Sequence, residues 1–144
     1  MNTDKKTAGI LEDAKINVKT KLSALWAAVM FCYIYGDIVS FFAPGGYIAQ
    51  SMAGKMGPFP VTQVLLLVGS VYMAIPCVMV FLSLILKPKT NRWANIILGV
   101  FYGVANGATF IAASWAYFIF FGIVETVLTA LIVWHAFTWP KQEA

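Results

Sequence analysis

Long apolar runs dominate the pattern of the chain, and polar or helix-breaking residues separate them. The first run covers about 22–43 and stops at the Pro-Gly-Gly sequence that begins with Pro44, and the second covers about 61–86 and stops near Pro88. Clusters of Pro and Gly end helices. Each run has the roughly 20 apolar residues that a helix needs to cross a bilayer. The pattern therefore predicts membrane-spanning helices.

The last apolar stretch extends from Arg92 to Trp139 without a helix breaker. A single helix of this length would be about 70 Å long, more than twice the thickness of the hydrocarbon layer. We therefore expect a turn near 112–116, which divides the stretch into helices at about 92–113 and 117–138. The complete prediction is an all-α membrane protein, a four-transmembrane-helix up-down bundle.

Polar segments at the two ends of the chain flank a single membrane domain, which covers 22–140. Residues 1–21 combine lysines with apolar side chains at near-helical spacing, which fits a helix on the membrane surface. A period-two alternation in the same segment leaves a simple tail equally open. Residues 141–144 form a second short tail.

The basic residues are distributed unevenly between the two predicted sides of the membrane. With four crossings both termini share one side, and of the ten basic residues only Lys55 lies opposite. The residues on the side of the termini are Lys5, Lys6, Lys15, Lys19, Lys21, Lys87, Lys89, Arg92 and Lys141. The positive-inside rule then predicts that both termini are cytoplasmic. These residues form no folded basic face, which argues against a nucleic-acid partner.

The composition agrees with a membrane protein and offers little metal or redox chemistry. Hydrophobic residues make up 60% of the chain and charged residues 11%. Cys32 and Cys77 form no CxxC pair, and His135 has no second ligand at a suitable spacing. The sequence therefore predicts no disulfide framework, no metal site and no cofactor.

A possible internal repeat relates the first and third predicted helices. Trp26 is followed nine and ten residues later by Tyr35 and Gly36, and Trp93 is followed at the same offsets by Tyr102 and Gly103. This pattern indicates two parallel-related helical hairpins about an axis along the membrane normal. Coincidence stays open, because aromatic residues and Gly are frequent in membrane helices.

Polar residues of all four helices lie at one depth, in the half of the bundle away from the termini. The acids Asp37 and Glu125 and the amide Asn106 lie about 9 to 12 Å from the ends of their helices, at 1.5 Å per residue. Ser70 is at a similar depth, and Tyr72 lies slightly deeper. In an up-down bundle the fourth helix packs beside the first, so we expect the two acids to meet.

Two carboxylates in a poorly hydrated space do not both stay ionised cheaply, so we expect the pair to hold at least one proton. Each acid has a hydroxyl one helical turn away, Tyr33 for Asp37 and Thr129 for Glu125. Pro76 has no N–H to donate to the carbonyl of Tyr72, and this freed acceptor is expected to face the same zone.

Two interpretations of the polar layer stay open. Ionisable residues inside a membrane usually mark a ligand, ion or proton site. The alternative is that these residues only join helices through hydrogen bonds. The stripe Gly99, Gly103 and Gly107 permits close approach of another helix, either within the chain or from a second subunit.

Most of the chain from Lys21 onward resembles a family of small bacterial membrane proteins known only as a domain of unknown function. The segments that carry the resemblance are 21–26 (KLSALW), 33–37 (YIYGD), 79–84 (MVFLSL), 91–97 (NRWANII), 123–125 (IVE) and 139–141 (WPK). The resemblance implies a four-helix protein of the bacterial inner membrane, and it implies no activity.

The small multidrug-resistance exporters offer an analogy, because they are four-helix proteins with a carboxylate in the first helix. This chain differs from them in its second carboxylate, Glu125, and in its lopsided basic residues. Both differences argue against their dual topology and antiparallel dimer.

The sequence favours a membrane protein that binds or translocates a proton, a cation, or a polar or cationic amphiphile. The candidate site residues are Asp37, Glu125, Asn106, Tyr33, Tyr72, Ser70 and Thr129, with the loop at 44–60 as a lid. The alternative is an accessory or assembly subunit that packs on a membrane partner, or on a second copy, through its glycine stripe. An enzyme is less favoured, because no nucleophile motif or phosphate-binding loop accompanies the acids.

Overall fold

The computed structural model describes residues 15–56, 59–111 and 115–140. The predicted surface helix or tail at 1–21 lies mostly outside these ranges, as do the tail at 141–144 and the centre of the turn predicted near 112–116. The elements are α1 (Val18–Ser40), α2 (Tyr47–Met52), β1 (Lys55–Met56), β2 (Phe59–Pro60), α3 (Gln63–Ile85), α4 (Pro88–Ile111) and α5 (Ala116–Phe137).

Polar caps fix where two of the long helices begin. The side-chain oxygen of Asn17 accepts a hydrogen bond from the backbone N–H of Lys19 at 2.9 Å, and the hydroxyl of Thr62 accepts one from Leu65 at 3.2 Å. Such caps satisfy N–H groups that have no partner inside the helix. The loop after α1 contains the short helix α2 and the antiparallel pair β1–β2.

Three helices are long and apolar enough to cross a membrane, namely α1, α3 and α5. Among the described residues, the fourth long helix, α4, is not one of the three. The coarse prediction of a mainly helical protein with helices long and apolar enough to cross a membrane is therefore confirmed.

The four long helices pack in the order α3, α1, α5, α4. Helix α5 packs along both α4 and α1, and α1 packs along α3, whereas α3 and α4 make few contacts with each other. The first and fourth helices of the predicted bundle are therefore neighbours, as an up-down arrangement requires. We call the half of the bundle that holds Val18 and Pro140 the proximal half, and the half that holds the 44–60 loop the distal half.

A buried polar network joins three helices in the proximal half. The indole N–H of Trp26 on α1 donates to Asn95 Oδ1 on α4 at 2.7 Å, and Asn95 Nδ2 donates to Asn91 Oδ1 at 2.6 Å. Asn91 Nδ2 in turn donates to the backbone carbonyl of Ser83 on α3 at 2.6 Å. Buried polar groups cost little only when they are paired in this way. The network therefore ties α1, α3 and α4 together.

The two predicted hairpins do not place their corresponding residues in equivalent surroundings. Trp26 is fully buried, whereas its counterpart Trp93 is 57% exposed; Tyr35 is 57% exposed, whereas its counterpart Tyr102 is fully buried. A twofold relation would give both members of each pair the same environment. The sequence repeat is therefore not a repeat in packing, because each helix is rotated to suit its own neighbours.

The glycine stripe of α4 is used inside the chain over part of its length. A Cβ atom at Gly99 would lie 2.8 Å from Val133 Cγ2 on α5, and one at Gly103 would lie 3.1 Å from Thr129 Oγ1. At Gly107 nothing lies within 4 Å. Close approach of α4 and α5 therefore depends on the first two glycines and not on Gly107.

Substitution of Gly99 is expected to separate α4 from α5. Gly99→Leu should lower the free energy of unfolding by about 1–3 kcal/mol, because the added side chain meets Val133 and Ile132. The matched variant Gly107→Leu should stay within about 0.5 kcal/mol of the original protein. Thermal unfolding of both variants in detergent measures the difference, and equal losses would contradict this account of the stripe.

Candidate functional site

A cavity of about 260 Å³ lies in the distal half, between the four long helices. Every long helix contributes to its wall: α1 through Tyr33 and Asp37, α3 through Tyr72, α4 through Asn106 and α5 through Glu125. All five were predicted: Asp37, Glu125 and Asn106 from their common depth, Tyr72 as slightly deeper, and Tyr33 as the hydroxyl one helical turn from Asp37. The structure thus brings the two acids to one enclosed space.

Two predicted site residues, Ser70 and Thr129, do not line the cavity. Ser70 is exposed, and its hydroxyl donates to the backbone carbonyl of Leu66 at 2.8 Å. It lies two residues from Tyr72, which is about 200° around an α-helix, so the two side chains leave opposite faces. Thr129 is buried below the cavity, where its hydroxyl donates to the Glu125 carbonyl at 2.9 Å and lies against Gly103. Residues at the same depth in the bundle therefore need not have side chains that face the same cavity.

The sequence analysis missed several residues of the cavity wall. Phe121 and Phe118 lie four and seven residues before Glu125, on the same face of α5, and Thr109 lies three residues after Asn106 on α4. The spacing of i±3, i±4 and i±7 around the acids and the amide could have identified them. Gly36, Met73 and Gly122 complete the wall.

The two carboxylates have no basic partner. Glu125 is only 8% exposed, Asp37 is more open, and the two groups are close enough to interact electrostatically. Among the described residues, no lysine or arginine forms an ion pair with either acid. Burial of the unpaired Glu125 carboxylate is costly, and a second acid lies nearby, so the cavity is a favourable place for positive charge.

Asn106 is a second polar residue of the cavity wall, and one of its two side-chain polar atoms lacks a hydrogen-bond partner. Its Oδ1 accepts a hydrogen bond from the Tyr33 hydroxyl at 2.8 Å, whereas its buried Nδ2 has no partner. Only 4% of the Asn106 side chain is exposed. Its hydrogen bond to Tyr33 joins α4 to α1 and leaves one amide donor unused beside the cavity.

Tyr102 closes the proximal side of the cavity. Its hydroxyl donates to the backbone carbonyl of Tyr72 at 2.5 Å, and this carbonyl is the acceptor that Pro76 leaves free within α3. The Tyr102 ring also packs on the rings of Tyr72 and Trp26, at centroid distances of 4.7 and 5.8 Å. An aromatic layer therefore separates the cavity from the asparagine network.

The distal halves of α3 and α4 lie apart on either side of the cavity. Val68 and Val71 on α3 and Val104 on α4 are more than half exposed, and no atom lies within 4 Å of a Cβ atom added at Gly69 or Gly107. The contact between the helices at this level is made by the Tyr72 ring against Phe101 and Tyr102. Because α3 and α4 make few contacts with each other, this side of the bundle is less closely packed than the sides between α1 and α3, α1 and α5, and α4 and α5.

The cavity offers oxygen and amide groups to a ligand. Across 15–56, 59–111 and 115–140 no three His, Cys, Asp or Glu side chains come together as a metal site would require. The two carboxylates can accept hydrogen bonds or neutralise a cation, the amide N–H can donate, and the aromatic walls can contact a cation through their faces.

Loss of the Tyr102 hydroxyl is expected to destabilise the layer below the cavity. Tyr102→Phe should lower the free energy of unfolding by about 1–2 kcal/mol, because the Tyr72 carbonyl is left without a donor. Tyr35→Phe, at an exposed position of α1, removes the same hydroxyl with a change below about 0.5 kcal/mol. Denaturation in mixed micelles compares the two, and a Tyr102→Phe protein as stable as the original would refute this role.

The comparison with known proteins identifies a family. No curated protein and no solved structure matches the chain significantly. A family model, described as a family of unknown function, matches residues 10–144. The chain therefore belongs to this family, DUF6326.

Proposed function

We propose that this protein is a four-span protein of the bacterial inner membrane that binds or translocates a small cation, or the cationic head of an amphiphile, in its distal cavity. The proposed membrane domain covers 22–140, and both termini are cytoplasmic. A proton is the smallest cation that the same site would accept.

The pattern of exposure on α4 supports a fourth crossing. Its 24 residues span about 36 Å, enough for the hydrocarbon layer. Its polar residues Asn91, Asn95 and Asn106 are buried inside the bundle. The exposed positions of the same helix include Ile97, Val100, Phe101, Val104 and Ile111. The mean hydropathy of α4 therefore understates how apolar its outer surface is.

The proposed topology predicts which positions a membrane-impermeant thiol reagent reaches in intact bacterial cells. In a background with Cys32→Ser and Cys77→Ser, Lys55→Cys and Trp115→Cys should react from outside. Lys87→Cys should react only after the cells are permeabilised, because the basic side of the bundle faces the cytoplasm. Labelling of Lys87→Cys in intact cells would contradict the orientation, and protection of Trp115→Cys would contradict the crossing of α4.

The observation that carries the functional proposal is that Asp37 and Glu125 line one cavity with aromatic side chains, and no lysine or arginine of the described residues pairs with either acid. A bound cation would offset the repulsion between Asp37 and Glu125 and their cost of burial. The faces of aromatic rings also attract cations, and carboxylate and aromatic groups together are a recurring way to hold ammonium groups.

The size of the cavity limits the ligand. A volume of about 260 Å³ is just below the range of about 300–1,000 Å³ that is typical of sites for drug-sized molecules. It suits a small organic cation or a headgroup. A larger amphiphile would have to leave its tail outside, in the poorly filled space between α3 and α4.

Removing both carboxylates is expected to abolish cation binding. Asp37→Asn combined with Glu125→Gln should weaken the binding of propylammonium at least tenfold, measured by calorimetry on the purified protein in detergent. Binding to the original protein should also weaken as the pH falls, because protons compete with the cation for the carboxylates.

Two control variants sharpen this test. Glu143→Gln removes an acid outside the predicted membrane helices, and Ser70→Ala removes a hydroxyl that faces away from the cavity. Both should bind propylammonium like the original protein. A double carboxylate variant that also binds normally would remove the proposal.

The alternative of an accessory or assembly subunit has less support. Residues that only join helices should be bonded across them, yet Asn106 Nδ2 has no partner among the described residues. Gly99 and Gly103, which were candidates for an external contact, face α5 of the same chain.

A further inference from the structure

We propose that the ligand of the distal cavity carries an uncharged acceptor oxygen a few bonds from its cationic nitrogen, as amino alcohols do. Asn106 would donate to this oxygen while Asp37 and Glu125 hold the nitrogen. This inference rests on the proposed function and adds the chemical class of the ligand.

The first step of the argument is the state of Asn106. The Tyr33 hydroxyl occupies its Oδ1, and its Nδ2 is buried without an acceptor. Native proteins seldom leave a buried N–H unpaired, and the exceptions often mark a place for a ligand or an ordered water. Asn106 also lines the cavity, so an acceptor group on a bound ligand is the partner that this donor lacks.

The second step is the position of the donor relative to the acids. Asn106, Asp37 and Glu125 all line the same cavity of about 260 Å³. One small molecule can therefore reach all three only if its cationic and acceptor groups are separated by a few bonds. The carboxylates require a cation and the amide N–H requires an acceptor, and a plain alkylammonium ion supplies only the first.

The third step is the charge of the acceptor. A carboxylate or phosphate on the ligand would lie close to two acids that have no basic residue beside them, and like charges repel strongly in a poorly hydrated space. A hydroxyl, ether or carbonyl oxygen accepts the same hydrogen bond without this repulsion. The ligand is therefore a cationic alcohol, ether or carbonyl compound.

This chemistry occurs both in free small molecules and in the headgroups of single-chain amphiphiles. The gap between the distal halves of α3 and α4 would admit an alkyl tail beside an occupied cavity. The two sources share the same headgroup chemistry, and a comparison of short and long chains distinguishes them.

The test uses pairs of cations that differ only by exchange of a hydroxyl for a methyl group. Choline is compared with trimethylpropylammonium, and ethanolammonium with propylammonium, by calorimetry on the full chain in detergent. The hydroxyl member of at least one pair should bind about tenfold more tightly. In Asn106→Leu this preference should fall to about onefold, because the amide donor is absent, while the methyl member still binds; Ser70→Ala should keep the preference.

The outcomes separate the two proposals. Equal binding of both members to the original protein would overturn this inference and leave the proposed function standing. Failure of all four cations to bind would overturn both. Retention of the preference in Asn106→Leu would show that another residue supplies the donor, and would also overturn the inference. Tighter binding of a dodecyl derivative of choline would identify an amphiphile as the source, and unchanged binding would identify a free small molecule.

Discussion

The structure depends on one constraint, which is that a polar group inside an apolar bundle needs a partner inside that bundle. In the proximal half every donor of the network has found one: Trp26 bonds to Asn95, Asn95 to Asn91, and Asn91 to the Ser83 carbonyl. The first bond connects α1 to α4 and the third connects α4 to α3. The second lies within α4 and connects Asn95 to Asn91. We call this network the clamp. It holds α1, α3 and α4 together in the proximal half, although α3 and α4 make few contacts with each other.

The distal half shows the opposite condition. Asn106 Nδ2 has no partner among the described residues, no lysine or arginine of those residues pairs with Glu125, and α3 and α4 make few contacts. Free energy gained by the satisfied network can offset the cost of such an unsatisfied site, since only the sum determines whether the chain folds. Hydrogen bonds therefore join the helices in the proximal half, whereas the distal half contains a cavity and an unpaired amide N–H. The proposed cation binds in the distal half.

Pro76 and Tyr102 join the two halves. A proline inside a helix leaves a carbonyl without its usual donor, and here the Tyr102 hydroxyl of α4 supplies the missing hydrogen bond to Tyr72. The same ring packs against Trp26, which belongs to the asparagine network. Tyr102 therefore separates the cavity from the asparagine network and also links α3 to α4 at this level.

The sequence alone determined the helices, their approximate ends and the depth of each polar group, because hydrophobic runs, Pro and Gly signals and the 1.5 Å rise per residue are local properties of the chain. Counting along the chain was therefore enough to bring Asp37, Glu125 and Asn106 to one level, with Tyr72 slightly deeper and Tyr33 one helical turn away. Only the tertiary structure decided which way each side chain points. Ser70 faces away from the cavity although its depth matches, and Trp93 is exposed although its counterpart Trp26 is buried. The rotation of a helix about its axis is set by the neighbours against which it packs, and those contacts join residues that are far apart in the sequence.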